Sequence, residues 1–126
     1  MIDHITFGVG DLSRSVAFYD MALTPLGFRR LCDLHEGEGG GVRVCGYGAE
    51  RPQFWLAEEN ATSGMMHVAF AALSREAVDV FHVAALAAGG SDNGAPGLRP
   101  RYHSGYYAAF VLDPDGHNIE AVCHTG

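Results

Sequence analysis

The chain has 126 residues, 48% hydrophobic and 18% charged, a balance that suits one globular domain burying roughly two thirds of its unfolded surface. Its formal net charge of −7, with eight basic residues that are all arginine and only loosely grouped (Arg29-Arg30, and Arg99 with Arg101), argues against nucleic acid or anionic membrane as a partner. No lysine is present, which excludes Schiff-base chemistry and a P-loop lysine, and no apolar run approaches the roughly 20 residues of a membrane span.

Met1-Ile2-Asp3-His4 lacks the basic and then apolar stretch of a secretory signal, so a cytoplasmic location is expected. Cys32, Cys45 and Cys123 are odd in number and widely spaced, which suits reduced thiols better than a disulfide framework or zinc knuckle.

Asp3 to Val9 alternates, with Ile5, Phe7 and Val9 on one face and His4, Thr6 and Gly8 on the other, as in a half-buried strand. Asp11 and Ser13 offer N-caps to a helix on which Leu12, Val16, Tyr19 and Leu23 recur until Pro25 and Gly27 stop it. Three short strands follow, Phe28 to Leu34, Gly41 to Gly48 and Gln53 to Leu56, the first pair separated by the flexible Glu36-Gly37-Glu38-Gly39-Gly40. Residues 59–64 are polar and unpatterned and read as a linker.

The plan then restarts. Met66 to Phe70 is a second alternating strand with His67 out of phase with the bulky residues, and Ser74 caps a second helix carrying Val78, Phe81 and Leu86 that ends at Gly89-Gly90. Asp92 to Tyr102 is rich in glycine and proline and reads as a loop; Tyr106 to Leu112, the turn Asp113-Pro114-Asp115-Gly116 and a last strand from Asn118 to Cys123 complete the chain. Each half reads as strand, helix, three strands, and such a pseudo-repeat predicts two modules, 1–58 and 65–126, assembled around a shared cavity in one domain.

His4 and His67 hold matching places in the two first strands, and Glu120 lies between Ile119 and Ala121, which face the other side. Two imidazoles and one carboxylate suit a divalent first-row metal and leave positions open for an oxygen ligand, whereas an inward polar cluster without a cation is costly. Read singly, His4 and His67 fit satisfied core histidines and Glu120 an edge-strand charge better than ligands; the repeated register favours the metal.

The strand-helix pair from His4 to Gly27, its repeat at His67, and Asp113-Pro114-Asp115-Gly116-His117-Asn118-Ile119-Glu120 resemble the vicinal oxygen chelate superfamily, which includes glyoxalase I, extradiol dioxygenases, fosfomycin-resistance transferases and bleomycin-resistance proteins. The resemblance implies an α+β fold of two βαβββ modules forming a curved open mixed β-barrel around a metal site. It implies one divalent ion (Fe, Mn, Ni or Zn) on His4, His67 and Glu120, a small-molecule substrate, and a homodimer. Alignment of Phe54-Trp55-Leu56 with Ile119-Glu120-Ala121 puts Trp55 where glyoxalase I has a fourth ligand, which argues against strict glyoxalase I chemistry. The extradiol pattern has a tyrosine where this chain has Phe110, and the fosfomycin enzymes recruit a lysine that is absent here.

Thr6, Tyr47, Trp55, Tyr102 and Tyr106 are the candidates to line the pocket, and His103, in a glycine-containing loop, is the candidate general acid or base. His35, His82, His117 and His124 carry no such argument, and Arg43 or Arg101 is placed to meet an anionic group only if it is not simply solvated. The expected function is that of a metal-dependent lyase, isomerase or dioxygenase chelating vicinal oxygens. The alternatives are a small-molecule-sequestering protein and a structural zinc fold.

Overall fold

A computed structural model describes residues 1–34 and 42–125; His35, Gly41 and the glycine-rich segment 36–40 lie outside the described residues. Module one supplies β1 (Ile5–Val9), α1 (Leu12–Leu23), a 3-10 turn (Thr24–Leu26), β2 (Arg29–Leu34), β3 (Val44–Gly48) and β4 (Phe54–Glu58). Module two supplies β5 (His67–Ala71), α2 (Arg75–Ala87), β6 (Ser91–Leu98), β7 (Tyr107–Leu112) and β8 (Asn118–Cys123). The caps fall where the short polar side chains predict them: Asp11 accepts the N–H of Arg14, and Ser74 that of Ala77.

The strands form two four-stranded mixed sheets, ordered β1-β4-β3-β2 and β5-β8-β7-β6, each with one parallel pair, β1 with β4 and β5 with β8. The two sheets are not joined to each other by hydrogen bonds, so the α+β architecture is curved and open. β1 and β5 are therefore outer strands, each paired on one side only.

The segment 92–102, read as a loop, is for most of its length a strand. β6 pairs with β7 through two register shifts, one between Asp92 and Gly94 and one between Gly94 and Gly97. An edge strand tolerates proline and glycine because its outer N–H groups need no ladder partner, and bulges absorb the misfit.

Within one chain the two modules pack on each other through the helix-bearing faces of their sheets. Phe7, Val9, Phe18, Tyr19 and Phe54 of module one share one core with Val78, Phe81, Ile119 and Ala121 of module two. Rings cross the boundary: Phe54 and Phe70 lie 5.0 Å apart edge to face, and Phe7 contacts His117 at 4.7 Å. Polar contacts reinforce it. Tyr19 donates to Asp113 at 2.5 Å, Arg14 pairs with Asp115 at 2.8 Å, and a ring nitrogen of His117 donates to the Thr62 carbonyl at 2.8 Å.

All three cysteines are free. The Cys45 thiol, buried and bonded to Asp33, is pushed up to about 12, which leaves it protonated and unreactive. No described helix is long and apolar enough to cross a membrane.

Candidate metal centre

Strand alternation puts His67 and Glu120 on the same face of the second sheet, the face turned away from α2: Val68, Phe70, Ile119 and Ala121 point into the core, and the residues between them point out. His67 Nε2 stands 2.9 Å from Glu120 Oε1. Glu120 is 2% exposed and its other oxygen accepts from the Tyr106 hydroxyl, whereas the His67 side chain is 31% exposed. Burial first, and then the bond to Glu120, push the Tyr106 phenol up to about 12, so it remains a donor.

His67 Nδ1 lies 3.3 Å from the Asn118 carbonyl oxygen, so both ring nitrogens face oxygen acceptors. Either a ring proton or a metal ion fits between Nε2 and the carboxylate. The arrangement of imidazole Nε2, carboxylate and a backbone carbonyl orienting Nδ1 is that of a metal-ligating histidine with its outer partner.

His4, just ahead of β1, shares this feature. Its Nδ1 lies 2.7 Å from Asp3 Oδ1, and Asp3 is in turn paired with Arg51 at 3.1 Å, so Nε2 is left as the available ligand atom. The imidazole is 56% exposed, and its nitrogens do not form a group with those of His67 and the Glu120 carboxylate within 4.8 Å. Among the described residues, the one three-donor group with ligand atoms within 4.8 Å of one another is instead Asp113, Asp115 and His117. That group is already partnered, by Tyr19, Arg14, Thr62 and backbone N–H groups, and serves as a clamp between the modules.

Glu120 and His67 open onto a recess of about 450 Å³ also lined by Met65, Tyr102, His103, Tyr106, Phe110 and Asn118, all from module two. Tyr102 and Tyr106 pack edge to face at 4.9 Å, and His67 stacks on Phe110 at 6.1 Å. The module-one candidates divide by alternation. Thr6 and Trp55 are register partners on the face that carries His4, with the indole lying over Gly46, where a Cβ would meet the ring at 2.9 Å. Tyr47, one residue on, lies on the opposite, helix-facing side, 1% exposed, its hydroxyl donating to Asp20 at 2.9 Å. The structure thus brings His67, Glu120, Tyr102, Tyr106 and His103 together in one recess and His4, Thr6 and Trp55 on another face.

His103 is not alone. Its Nδ1 accepts from the Gly105 N–H at 3.2 Å, so its Nε2 carries the proton and donates to His124 Nδ1 at 2.8 Å, with the two rings stacked at 5.1 Å. In this arrangement both His103 nitrogens are engaged and the free lone pair of the pair is absent from His103; the second imidazole, His124, holds its tautomer. Nothing in a near-terminal histidine signals this role in the sequence. Only the pairing of β7 with β8, which aligns Tyr107 with Cys123, brings the ends of the two segments together.

Comparison with known proteins agrees with this architecture. Residues 1–121 match the family model of the glyoxalase/bleomycin resistance protein/dioxygenase superfamily. No curated protein sequence matches the chain. A glyoxalase/bleomycin resistance protein from Albidiferax ferrireducens is 32% identical, with 95% of each chain covered and a TM-score of 0.75. A glyoxalase/bleomycin resistance protein/dioxygenase family enzyme from Burkholderia phytofirmans, 21% identical over 97% of each chain, superposes with a TM-score of 0.71. The fosfomycin resistance protein FosX from Listeria monocytogenes, solved with Mn(II) and 1S,2S-dihydroxypropylphosphonic acid, shares the fold at 19% identity and a TM-score of 0.71, covering 97% of this chain and 90% of its own. With its two βαβββ units, its mixed open sheets and a family match over nearly its whole length, the chain belongs to the glyoxalase/bleomycin resistance protein/dioxygenase superfamily.

Proposed function

We propose that this protein is a metal-dependent enzyme of the glyoxalase/dioxygenase type, holding one divalent ion with His67 and Glu120 of one chain and His4 of a second copy. The observation that supports the reading most directly is the pair His67 and Glu120 on the open face of the sheet, with Nε2 and Oε1 2.9 Å apart, the Tyr106 hydroxyl on the second carboxylate oxygen and the Asn118 carbonyl near Nδ1.

Assignment of His4 to a second copy follows from the packing. The helix-bearing faces of both sheets are consumed by one core, so the faces carrying His4 and His67 are not opposed within a chain. β1 and β5 each present an unpaired edge, and along them runs a groove of about 380 Å³ lined by Ile2, Ile5, Phe28, Phe54, Val68 and Phe70 among others. A two-fold dimer laying β1 of each chain near β5 of the other covers both grooves and carries His4, Thr6 and Trp55 over the recess twice.

His67, Glu120 and the second copy's His4 would hold the ion, which when bound would supply Lewis acidity toward neighbouring substrate oxygens. The chain's own groups do the rest. Tyr106 fixes one oxygen of Glu120, the Asn118 carbonyl and Asp3 orient the two imidazoles, and Tyr102, Phe110 and Trp55 exclude water and offer flat apolar walls. The same aromatic walls suit the second reading, a binding module in which nothing reacts. Metal analysis of protein purified without chelator is the first test. We expect about one ion per chain in the wild type and background metal in His67→Ala; unchanged metal content in that variant rejects the site.

A further inference from the structure

Resting on the metal-site reading above, we infer that the recess takes a small anionic substrate, with a two-oxygen end at His67 and Glu120 and a separate acidic group bound by Arg99.

Arg99 is a built cation rather than a solvated one. Its guanidinium donates to the carbonyls of Gly97 and Ala95, each at 2.8 Å, and lies over the Phe110 ring at 5.4 Å, the ring on which His67 stacks. The strands align it with the metal pair. Across the second sheet Glu120 is the register partner of Phe110, and Phe110 that of Gly94, so the row on this face ends at a residue without a side chain. The guanidinium occupies that space: a Cβ on Gly94 would lie 3.3 Å from its Nη2 and 3.0 Å from the Phe110 ring, and the Gly94 φ of +152° disfavours any other residue.

No carboxylate is paired with Arg99 among the described residues, although the chain carries an excess of acidic groups. A second recess, of about 310 Å³, is lined by Arg99 and Arg101 and shares Tyr102, Phe110 and Asn118 with the first. The two recesses adjoin at these shared residues, with His67 and Glu120 lining one and Arg99 and Arg101 the other. Carbonyl partners and a ring orient an arginine but leave its charge uncompensated, and its remaining N–H groups suit a carboxylate or phosphonate oxygen.

Binding of catechol and 3,4-dihydroxybenzoate to the Zn(II)-loaded protein, by calorimetry, tests this, because the probes share a chelating end and differ in the acidic group. We expect the acid to bind roughly tenfold more tightly, consistent with a charge-assisted hydrogen bond. Arg99→Gln should remove that preference and leave catechol unchanged. Arg99→Lys, which keeps the charge without the fork, should lower the preference at least about threefold and carries the test if the glutamine variant does not fold. Equal binding of the two probes by the wild type, binding of neither, or an Arg99 variant with an unaltered ratio overturns the inference. His67→Ala separates the two levels: loss of both probes belongs to the metal site, whereas a preference that persists in His67→Ala and vanishes in Arg99→Gln leaves the anion site standing without it.

Discussion

Replacing Glu120 with alanine is expected to leave the protein folded and to remove stoichiometric divalent metal, while Tyr106→Phe weakens metal binding by roughly 10- to 100-fold, the usual cost of losing an outer partner of a ligand. The asymmetry follows from the contacts. Glu120 faces His67 Nε2 with one oxygen and is held at the other by the Tyr106 hydroxyl, so the tyrosine fixes the carboxylate's direction without itself replacing the carboxylate. A carboxylate kept for stability behaves in the opposite way. Its removal would strand Tyr106 and His67 as unpaired donors, lower the unfolding free energy by about 1–3 kcal/mol, and leave metal content untouched. Metal titration and urea denaturation of the metal-free variants, run side by side, decide between the two patterns.

Asp113→Ala is expected to have the largest effect on stability, a loss of roughly 3–5 kcal/mol, comparable with removing one partner of a buried ionic pair and a large share of a typical 5–15 kcal/mol. Asp113 is 4% exposed and accepts from the Tyr19 hydroxyl at 2.5 Å, from the His117 ring at 3.1 Å, and from the backbone N–H groups of Asp115 and His117. Alanine leaves all four donors without this acceptor and cuts the link between α1 and the turn that launches β8. Asp113→Asn keeps an acceptor and should lose less. Urea midpoints at constant m-value check both, and a loss below about 1 kcal/mol for the alanine variant would show that the ring contacts alone hold the modules together.

The parts of this fold legible from the sequence are those in which local chemistry and tertiary packing agree. His4 and His67 lie out of phase with the apolar residues of β1 and β5, and two-residue alternation alone puts them on the faces away from the core. The caps Asp11 and Ser74 satisfy orphan N–H groups within their own helices and need no distant partner. Illegible parts depend on the other end of the chain. Segment 92–102 has the composition of a loop and becomes a strand because β7 offers it an edge. Trp55 and Tyr47 look alike as aromatic candidates, yet register sends the indole to the open face and the phenol to Asp20 on α1.

The histidines teach the same lesson. His117 and His124 carry no argument of their own in the sequence, but one closes the Asp113 clamp and the other holds His103. Arg99 looked like one of several scattered arginines, and only the glycine that pairs with Phe110 reveals the seat made for it. Spacing reports which face a side chain occupies; it does not report which face of which copy lies opposite.

That question has a direct experimental answer. Chains carrying His4→Ala and chains carrying Glu120→Ala, tagged differently and produced together, yield mixed dimers that can be purified through both tags. If His4 of one copy completes the site on the other, each variant alone holds only background metal, while the mixed dimer regains one intact site and binds one ion. A mixed dimer as empty as its parents, beside a wild-type protein that binds metal, would contradict the shared centre.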